Sequence, residues 1–149
     1  MSLWIPVRDG DTRALWLYRR HYSCKPYKDG RRAPGTYGFV RKIIGPGEYL
    51  LLLTVTCDAV FSWKRFIDAS GQDGVNCAVF RNEGPLLSSS LILDAEQWAW
   101  DKWPGERLYT YVDPRRVSSR NPGYCFKSAG WRHCGKTAGG LHVLEKVLV

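Results

Sequence analysis

Three adjacent residues, His21, Tyr22 and Ser23, carry the side chains best suited to proton chemistry in this sequence. An imidazole takes up a proton near neutral pH, and a phenol orients a base or donates a hydrogen bond to it. We therefore expect His21 and Tyr22 to form a reacting centre that the Ser23 hydroxyl supports. The sequence leaves one alternative open, in which His21 is a surface histidine at the end of a helix.

A second candidate is Asp113, which follows the apolar run Leu108–Val112. Such a run predicts a strand. A carboxylate at the carboxyl end of a strand is placed to act as a base, to hold His21, or to bind a metal together with His21 and Tyr22. Because Pro114 follows it, Asp113 is equally suited to forming a turn. No further residue pattern supports a metal, so metal binding stays open.

The charge of the chain points to a polyanionic partner. There are 22 Lys and Arg residues against 14 Asp and Glu, and the net charge is +8. An excess of this kind attracts nucleic acid, and we expect DNA as the partner, although a solvated basic face is the alternative. The predicted DNA-binding residues are Arg19, Arg20, Lys25, Lys28, Arg31, Arg32, Arg115, Arg116 and Arg120.

Length and composition predict one folded domain over residues 1–149. The chain is too short to fill a second core, and 44% hydrophobic residues argue against disorder. The 5 cysteines are odd in number and form no Cys-x-x-Cys pair, so we expect reduced thiols and a cytoplasmic location. The longest apolar run, 49–55, is too short to cross a bilayer, and we expect no membrane partner. Oligomeric state is left open.

The elements that must position these residues follow from hydrophobic spacing and turn residues. A helix is predicted at 11–22, capped by Asp11 or Thr12, and an exposed basic loop at 25–34. The remaining predicted elements are strands at 37–44, 49–56, 60–66 and 75–80, a central helix at 86–103, a strand at 108–112, a short helix or turn at 121–129, and a hairpin of 131–134 with 141–144. This order predicts the α/β class, a mixed sheet with helices on its faces.

Two segments resemble a known superfamily. Residues 121–131, Asn-Pro-Gly-Tyr-Cys-Phe-Lys-Ser-Ala-Gly-Trp, followed by Gly135, resemble the C-terminal motif of GNAT N-acyltransferases, in which Asn opens a short helix and a Gly-aromatic pair starts the next strand. Residues 79–86, Val-Phe-Arg-Asn-Glu-Gly-Pro-Leu, resemble the loop that cradles the coenzyme A pyrophosphate. The resemblance implies a GNAT-like fold, with a central, mostly antiparallel mixed sheet flanked by helices, and transfer from acetyl-CoA or another small-molecule acyl donor.

The GNAT resemblance also implies roles for individual residues. Free amides and the dipole at a helix N-terminus suit an anion such as the donor's phosphate. The family's usual thiolate-protonating Tyr falls at Phe126, so nearby Tyr124 becomes the catalytic candidate. Pro85 lacks an amide donor and Leu86 replaces a small residue, which leaves a different acyl donor open. The implied donor-binding residues are Arg81, Gly84, Ser88, Ser89, Asn121 and Phe126.

A third segment narrows the resemblance. Arg20-His21-Tyr22-Ser23, followed by the basic loop, resembles the His-Tyr-Ser segment of the phage Mu Mom group, GNAT-like proteins that modify adenine in phage DNA. Residues 109–113, Tyr-Thr-Tyr-Val-Asp, resemble that group's layout as well. The resemblance implies a phage-type transferase acting on the exocyclic amine of adenine in a bacterial cytoplasm. Because the lone pair of that amine is delocalised into the ring, an unusual cofactor stays open.

Two other functions are compatible with the same residues. One is an acetyl-CoA-dependent N-acetyltransferase that acts on a protein or small-molecule amine. The other is a nucleic-acid-binding module without catalysis, which the altered phosphate loop and Phe126 favour. The transferred group, the target base and its sequence context are not specified by the sequence.

Overall fold

Most of the strands are rich in buried apolar residues, and the computed structural model joins them into one sheet. It describes residues 2–20, 42–67, 71–117 and 120–148. The strands are β1 (Trp4–Val7), β2 (Tyr49–Thr54), β3 (Ala59–Ile67), β4 (Asp73–Asn82), β5 (Leu108–Val112), β6 (Arg132–Lys136) and β7 (His142–Lys146). The helices are α1 (Thr12–Arg19), α2 (Ser88–Lys102) and α3 (Tyr124–Ser128).

Over the ranges given above, the sheet has seven strands in the order β1-β2-β3-β4-β5-β7-β6. Within the described residues, β4 and β5 form the parallel pair and the other neighbours are antiparallel. Helix α2 makes the crossover that a parallel pair requires. The predicted class, a mixed and mostly antiparallel sheet with helices, is confirmed.

Two apolar clusters hold the helices against opposite faces of the sheet. Alternation along β2 sends Leu51 and Leu53 toward Leu17 of α1, whereas Leu52 joins the cluster that contains Leu91 of α2. All five leucines are at most 1% exposed. Helix α3 contributes Phe126 and Ala129 to the α2 side. The side of the sheet that carries α2 and α3 therefore holds the larger core.

Helix α1 begins as its sequence predicts. The Asp11 carboxylate accepts hydrogen bonds from the amides of Arg13 (2.9 Å) and Ala14 (3.2 Å), which satisfies two donors of the first turn. The helix ends at Arg19, with Arg20 as its C-cap. The last two residues of the predicted helix, 21 and 22, lie outside the described residues, as do the predicted loop 25–34 and residues 37–41 of the next predicted strand.

One strand was missed and one local prediction is wrong. Strand β1 was not anticipated, because it has four residues and contains Pro6, which is tolerated at the edge position that β1 occupies. Residues 42–44 were predicted to end a strand and do not. The amides of Ile43 (2.7 Å) and Ile44 (3.1 Å) instead donate to the Asp9 carboxylate, and these bonds take the place of a strand ladder.

The later elements agree with prediction to within a few residues. The predicted central helix starts later, at Ser88, with Leu87 as its N-cap, because Pro85 stands just before it. The short C-terminal helix and the closing hairpin both form. In the part of the chain that the structure describes, no helix combines the length and apolar character needed to span a membrane.

Candidate functional site

Strands β4 and β5 run parallel, so their carboxyl ends reach the same edge of the sheet. Their pairing extends only from Val75↔Leu108 to Cys77↔Thr110, although β4 continues to Asn82. Beyond these pairs the two strands separate. A gap between the two central strands therefore opens toward the edge where both strands end.

A β-bulge lies where the two strands part. Ser62 of β3 pairs with Val79, and the next residue, Trp63, pairs with Cys77, which leaves Ala78 as an extra residue in β4. The Val79 amide donates to the Ser62 hydroxyl at 3.0 Å, so the side chain satisfies a donor at the irregularity. A bulge bends its strand and changes the direction of its side chains. The bulge at Ala78 accounts physically for the loss of pairing with β5.

The gap contains a cleft of about 150 Å³. The Thr110 hydroxyl donates to the Cys77 carbonyl oxygen at 2.7 Å, so the polar groups at its base are already paired. Most of the lining is apolar. The residues that line the cleft are Cys77, Ala78, Phe80, Thr110, Tyr111, Val112, Val117, Gly123, Cys125 and Phe126.

Two thiols line this cleft, and both are protonated at neutral pH. Burial raises the pKa of Cys77 well above the usual range of a thiol, and burial also raises the pKa of Cys125. Neither thiol is activated as a nucleophile. The cleft is thus uncharged and suits a neutral, flexible group.

The loop from β4 to α2, which was predicted to cradle a pyrophosphate, makes internal hydrogen bonds. The Gly84 amide donates to the Asn82 side chain (3.0 Å), and the Glu83 amide donates to the carbonyl oxygen of Asp58 (2.8 Å). A Cβ atom at Gly84 would collide with the Asp58 carboxylate. The amides of Glu83 and Gly84 are therefore already hydrogen-bonded within the protein, and the space beside Gly84 is filled by Asp58 rather than open to an anion.

Helix α2 follows this loop with an open first turn. Its N-cap, Leu87, offers no side-chain hydrogen bond to the first amides. Ser88 and Ser89 lie half-buried in that turn, and the Ser88 hydroxyl accepts a hydrogen bond from the Asn82 amide group at 3.0 Å. Of the two predicted hydroxyl donors, Ser88 is thus tied to the loop.

Glu83 joins two segments that were predicted to work together. Arg20, at the end of α1, donates to both of its carboxylate oxygens, at 2.6 and 2.8 Å, and Arg81 donates at 2.5 Å. The hydrogen bonds from Arg20, then from Arg81, lower the pKa of Glu83 to about 2. A residue predicted to bind DNA and one predicted to bind the donor therefore share one carboxylate.

Asp113 directly follows β5, at the same edge of the sheet as Glu83. Its carboxylate accepts from the Arg115 amide and from Arg115 Nε, both at 3.0 Å, and pairs with Arg116 at 3.6 Å. The hydrogen bond from the Arg115 guanidinium is the main cause that lowers the pKa of Asp113. Asp113 is therefore ionised at neutral pH, and it also makes the turn that its Asp-Pro sequence indicates.

The C-terminal motif lies beside the cleft. The Asn121 carbonyl accepts from the Tyr124 amide (3.0 Å), and its side chain accepts from Lys127 Nζ (2.6 Å), so Asn121 does precede a short helix. Phe126 is 6% exposed and packs edge-on against Trp131. Tyr124 is 63% exposed and is not a lining residue of the cleft. Phe126 therefore forms part of the wall, whereas the Tyr124 hydroxyl faces solvent.

The described cations that were predicted to bind DNA fall into two groups at this edge. Arg19 and Arg20 lie at the end of α1, and Arg115, Arg116 and Arg120 follow β5. The side chains of Arg20, Arg115 and Arg116 are 46%, 69% and 48% exposed, so all three are accessible to a polyanion.

Several predicted site residues lie outside the described residues. These are His21, Tyr22, Ser23, Lys25, Lys28, Arg31 and Arg32. The described residues that precede them end with Arg20, which is bound to Glu83. Whether His21 meets Asp113 therefore stays a prediction.

Sequence reasoning missed the cleft-lining residues except Phe126, which was predicted to bind the donor. Ala78, Thr110 and Cys125 have ordinary side chains at unremarkable spacing, and their roles depend on the bulge and on the parting of the strands. The sequence pointed to the cleft only indirectly. Residues 109–113 and 121–131 were identified from the family resemblance, and both segments contribute residues to the lining.

Among the described ranges, no group of three or more His, Cys, Asp or Glu side chains is placed to hold a metal ion. The predicted set of His21, Tyr22 and Asp113 is not tested by this, since two of its members fall outside those ranges.

No protein-family model matches the sequence, and the comparison with curated proteins also gave no match.

Proposed function

We propose that this protein is a GNAT-like group transferase that modifies a base in DNA, with the exocyclic amine of adenine as acceptor, as in the Mom group. One observation carries the proposal. The parallel strands β4 and β5 separate into a neutral cleft, and the edge at which they end also bears Asp113, Arg20 and Arg115. A group donor, a proton acceptor and DNA phosphates would meet at that edge.

The order of elements supports the fold part of the proposal. The segment that resembles the phosphate loop connects β4 to the long helix α2, and the segment that resembles the C-terminal motif forms α3 and leads into β6. Each segment thus stands in the structural context in which the resemblance expects it.

Asp113 is the proton acceptor in this proposal. Its ionised carboxylate either takes a proton from the acceptor amine or orients His21 so that the imidazole takes it. The arginines around it lower its pKa and so make it a weaker base, which favours the orienting role over direct proton uptake. Arg20 and Arg116 contribute by binding phosphates and by orienting the DNA.

The described residues fit only part of coenzyme A. The neutral cleft suits the uncharged arm of an acyl donor, but the loop that would hold its diphosphate presents Glu83 and the nearby Asp58 carboxylate. The negative charges of these two carboxylates repel a diphosphate and therefore oppose its binding. We therefore leave the donor as a small molecule with a neutral arm, and calorimetry with acetyl-CoA decides whether that donor binds.

The test is mass spectrometry of nucleosides from cells that express the protein. We expect a modified nucleoside with wild type and a yield lower by about 100-fold or more with Asp113→Asn, the scale of losing a general base. Asn retains the side-chain oxygen that accepts from the Arg115 amide, so the turn is preserved. The matched control is Asp101→Asn, which changes an exposed carboxylate in the last turn of α2.

Unmodified nucleosides with well-expressed wild-type protein would contradict the proposal. Full activity of Asp113→Asn would remove Asp113 from the chemistry, and His21→Ala then tests the other member of the predicted pair.

One observation favours a second function, a nucleic-acid-binding module without catalysis. The Phe126 ring at the cleft has no hydroxyl to donate, and Tyr124 faces solvent. This function predicts salt-sensitive DNA binding that survives both Asp113→Asn and His21→Ala, with no change of mass in any nucleoside.

A further inference from the structure

The β6–β7 hairpin brings two histidines together. The ring centroids of His133 and His142 are 4.9 Å apart, and the rings are perpendicular at 89°. His133 is exposed and His142 is half-buried. His142 precedes Leu144 by two residues on β7, so both side chains point to the face on which α3 packs. The proposed transferase chemistry uses neither imidazole.

Lysines surround this histidine pair. Lys136 is the cross-strand partner of His142, and Lys127 of α3 is held at 2.6 Å by the Asn121 side chain. Burial lowers the pKa of His142, and the charges of His133, Lys136 and Lys127 lower it further. We call these four residues, Lys127, His133, Lys136 and His142, the hairpin patch.

Glu145 and Glu96, two described carboxylates close to the hairpin, are paired with other cations. Glu145 alternates to the other face of β7, where it accepts from Arg107 and Arg132, each at 2.8 Å. Lys146 shares the face of His142, but its ammonium is bound to Glu96 at 2.7 Å. The groups that act on His142 are thus cationic, and a bound anion would relieve their mutual repulsion.

The His142 ring also has an unused polar atom. Nδ1 is shielded from solvent and has no hydrogen-bond partner among the described residues. A shielded polar atom without a partner costs free energy. Protonation of His142 in its present surroundings is therefore unfavourable through lost hydration and through neighbouring positive charges, and an anion bound at the patch offsets the repulsion between those charges.

The hairpin patch adjoins the predicted DNA cations. Arg115 Nη2 lies 3.4 Å from the Gly139 carbonyl oxygen, which it contacts as a donor in the turn between β6 and β7. The turn thus joins the two basic regions into one surface, which runs from the end of β5 across the hairpin.

We propose that the hairpin patch binds a phosphate of the DNA backbone, and that it does so more tightly as the pH falls and protonation adds positive charge to the patch. This inference rests on DNA as the partner in the proposed function. Phosphodiesters stay singly charged across this pH range, so the change originates in the protein. Each imidazole whose pKa the bound phosphate raises by one unit adds about tenfold in affinity at low pH.

The test is fluorescence anisotropy with a labelled duplex of about 20 base pairs, at about pH 7.5 and about pH 5.5, in the presence of a metal chelator. We expect wild type to bind about tenfold more tightly at the lower pH. The His133→Gln/His142→Gln variant should lose most of this gain. The matched cation control is Lys102→Gln, on the last turn of α2 at the other edge of the sheet, which should behave as wild type.

The lysines give an independent readout. Lys127→Gln and Lys136→Gln should each weaken DNA binding, and together they should reduce the slope of log K against log salt by about one, the contribution of a single phosphate. His133→Gln alone alters an exposed side chain, so it keeps the test valid if the double variant unfolds. A pH gain that survives in the histidine variants overturns the inference even though DNA binding stands.

If wild type binds no DNA at either pH, the proposed partner fails, and the hairpin patch is then judged with inorganic phosphate. Saturable shifts of the His133 and His142 imidazole NMR signals on titration support the phosphate site. Imidazole signals that do not move overturn it.

Discussion

Arg20 and Glu83 form a bidentate ion pair, with nitrogen-to-oxygen distances of 2.6 and 2.8 Å across 63 residues of sequence. The pair links the end of α1 to the loop after β4. One of the predicted DNA cations is therefore held by a carboxylate of the segment predicted to bind the donor. Any phosphate that binds Arg20 must compete with Glu83.

Glu83→Gln should strengthen DNA binding. A neutral amide cannot retain two guanidinium groups as firmly, so Arg20 and Arg81 become available to phosphates. We expect an affinity about three- to tenfold higher at low salt, and a steeper salt dependence, measured by fluorescence anisotropy. The matched control is Glu106→Gln, which adds the same charge and frees Arg65 from a similar pair. Equal gains in DNA affinity in both variants would show that the change in net charge alone explains the result, without release of Arg20.

Thiol alkylation should follow the burial of the cysteines, of which Cys77 lines the cleft and Cys134 lies on β6. Cys134 is exposed and should react about tenfold or more faster than Cys77, which is 2% exposed and whose pKa is raised by burial. The measurement is alkylation at about pH 8 followed by peptide mass spectrometry, with denatured protein as the reference for equal reactivity. Native Cys77 that reacts as fast as Cys134 would show that the cleft is open to solvent.

Gly123→Ala should destabilise the fold by about 2–4 kcal/mol, measured by urea denaturation. Gly123 has φ of +78°, and its added Cβ would collide with Leu144 Cδ1. Gly105→Ala is the control. Gly105 also has a positive φ, +73°, but a Cβ atom added there meets no other atom within 4 Å. This variant should therefore lose only the backbone contribution, about 1–2 kcal/mol. The difference between the two variants measures the packing of α3 on β7, and equal losses would show that no collision occurs.

Lys146→Met should destabilise the protein in a pH-dependent way. Glu96 is 1% exposed and accepts from Lys146 (2.7 Å) and from Trp131 (2.8 Å). Without Lys146 its charge is buried and unpaired, at a cost of about 3–5 kcal/mol at neutral pH. Burial raises the pKa of Glu96, so folding disfavours the charged form of this carboxyl relative to the unfolded chain.

For such a group, stability is greatest below the pKa of the unfolded chain and is lost as the pH rises through the folded pKa. The deficit of Lys146→Met should therefore shrink toward about pH 4, close to the usual pKa of a Glu carboxyl. Urea denaturation at several pH values measures it, and Glu96→Gln/Lys146→Met is the control that should show little pH dependence. A deficit that does not change with pH would contradict the role of the Glu96 charge.

Local patterns predicted most of the fold because local interactions decide it. The Asp11 carboxylate caps α1 by accepting hydrogen bonds from amides two and three residues further along the chain. The spacing of Leu91, Ala95 and Ala99 places one face of α2 in the core. The pattern failed where a distant group took over. Residues 42–44 resemble the end of a strand, but the Asp9 carboxylate captures the amides that follow Lys42.

The sequence predicted which segments contribute to the candidate site, but not how their side chains contact one another. Asp113 was identified from its place after an apolar run, yet its ion pairs with Arg115 and Arg116 depend on the turn that it makes itself. The Glu83 carboxylate was not singled out, because nothing near it in sequence indicates that Arg20 will reach it.

The sequence by itself determined the class of fold, the positions of the helices, the excess of positive charge and the segments that carry the GNAT resemblance, since each depends on neighbouring residues or on composition. Only the tertiary structure decided that β4 and β5 part at Cys77 and Thr110, that Ala78 bulges, and that Arg20 meets Glu83. Strand register and ion pairing across the sheet depend on contacts between residues far apart in the chain, which no local pattern encodes.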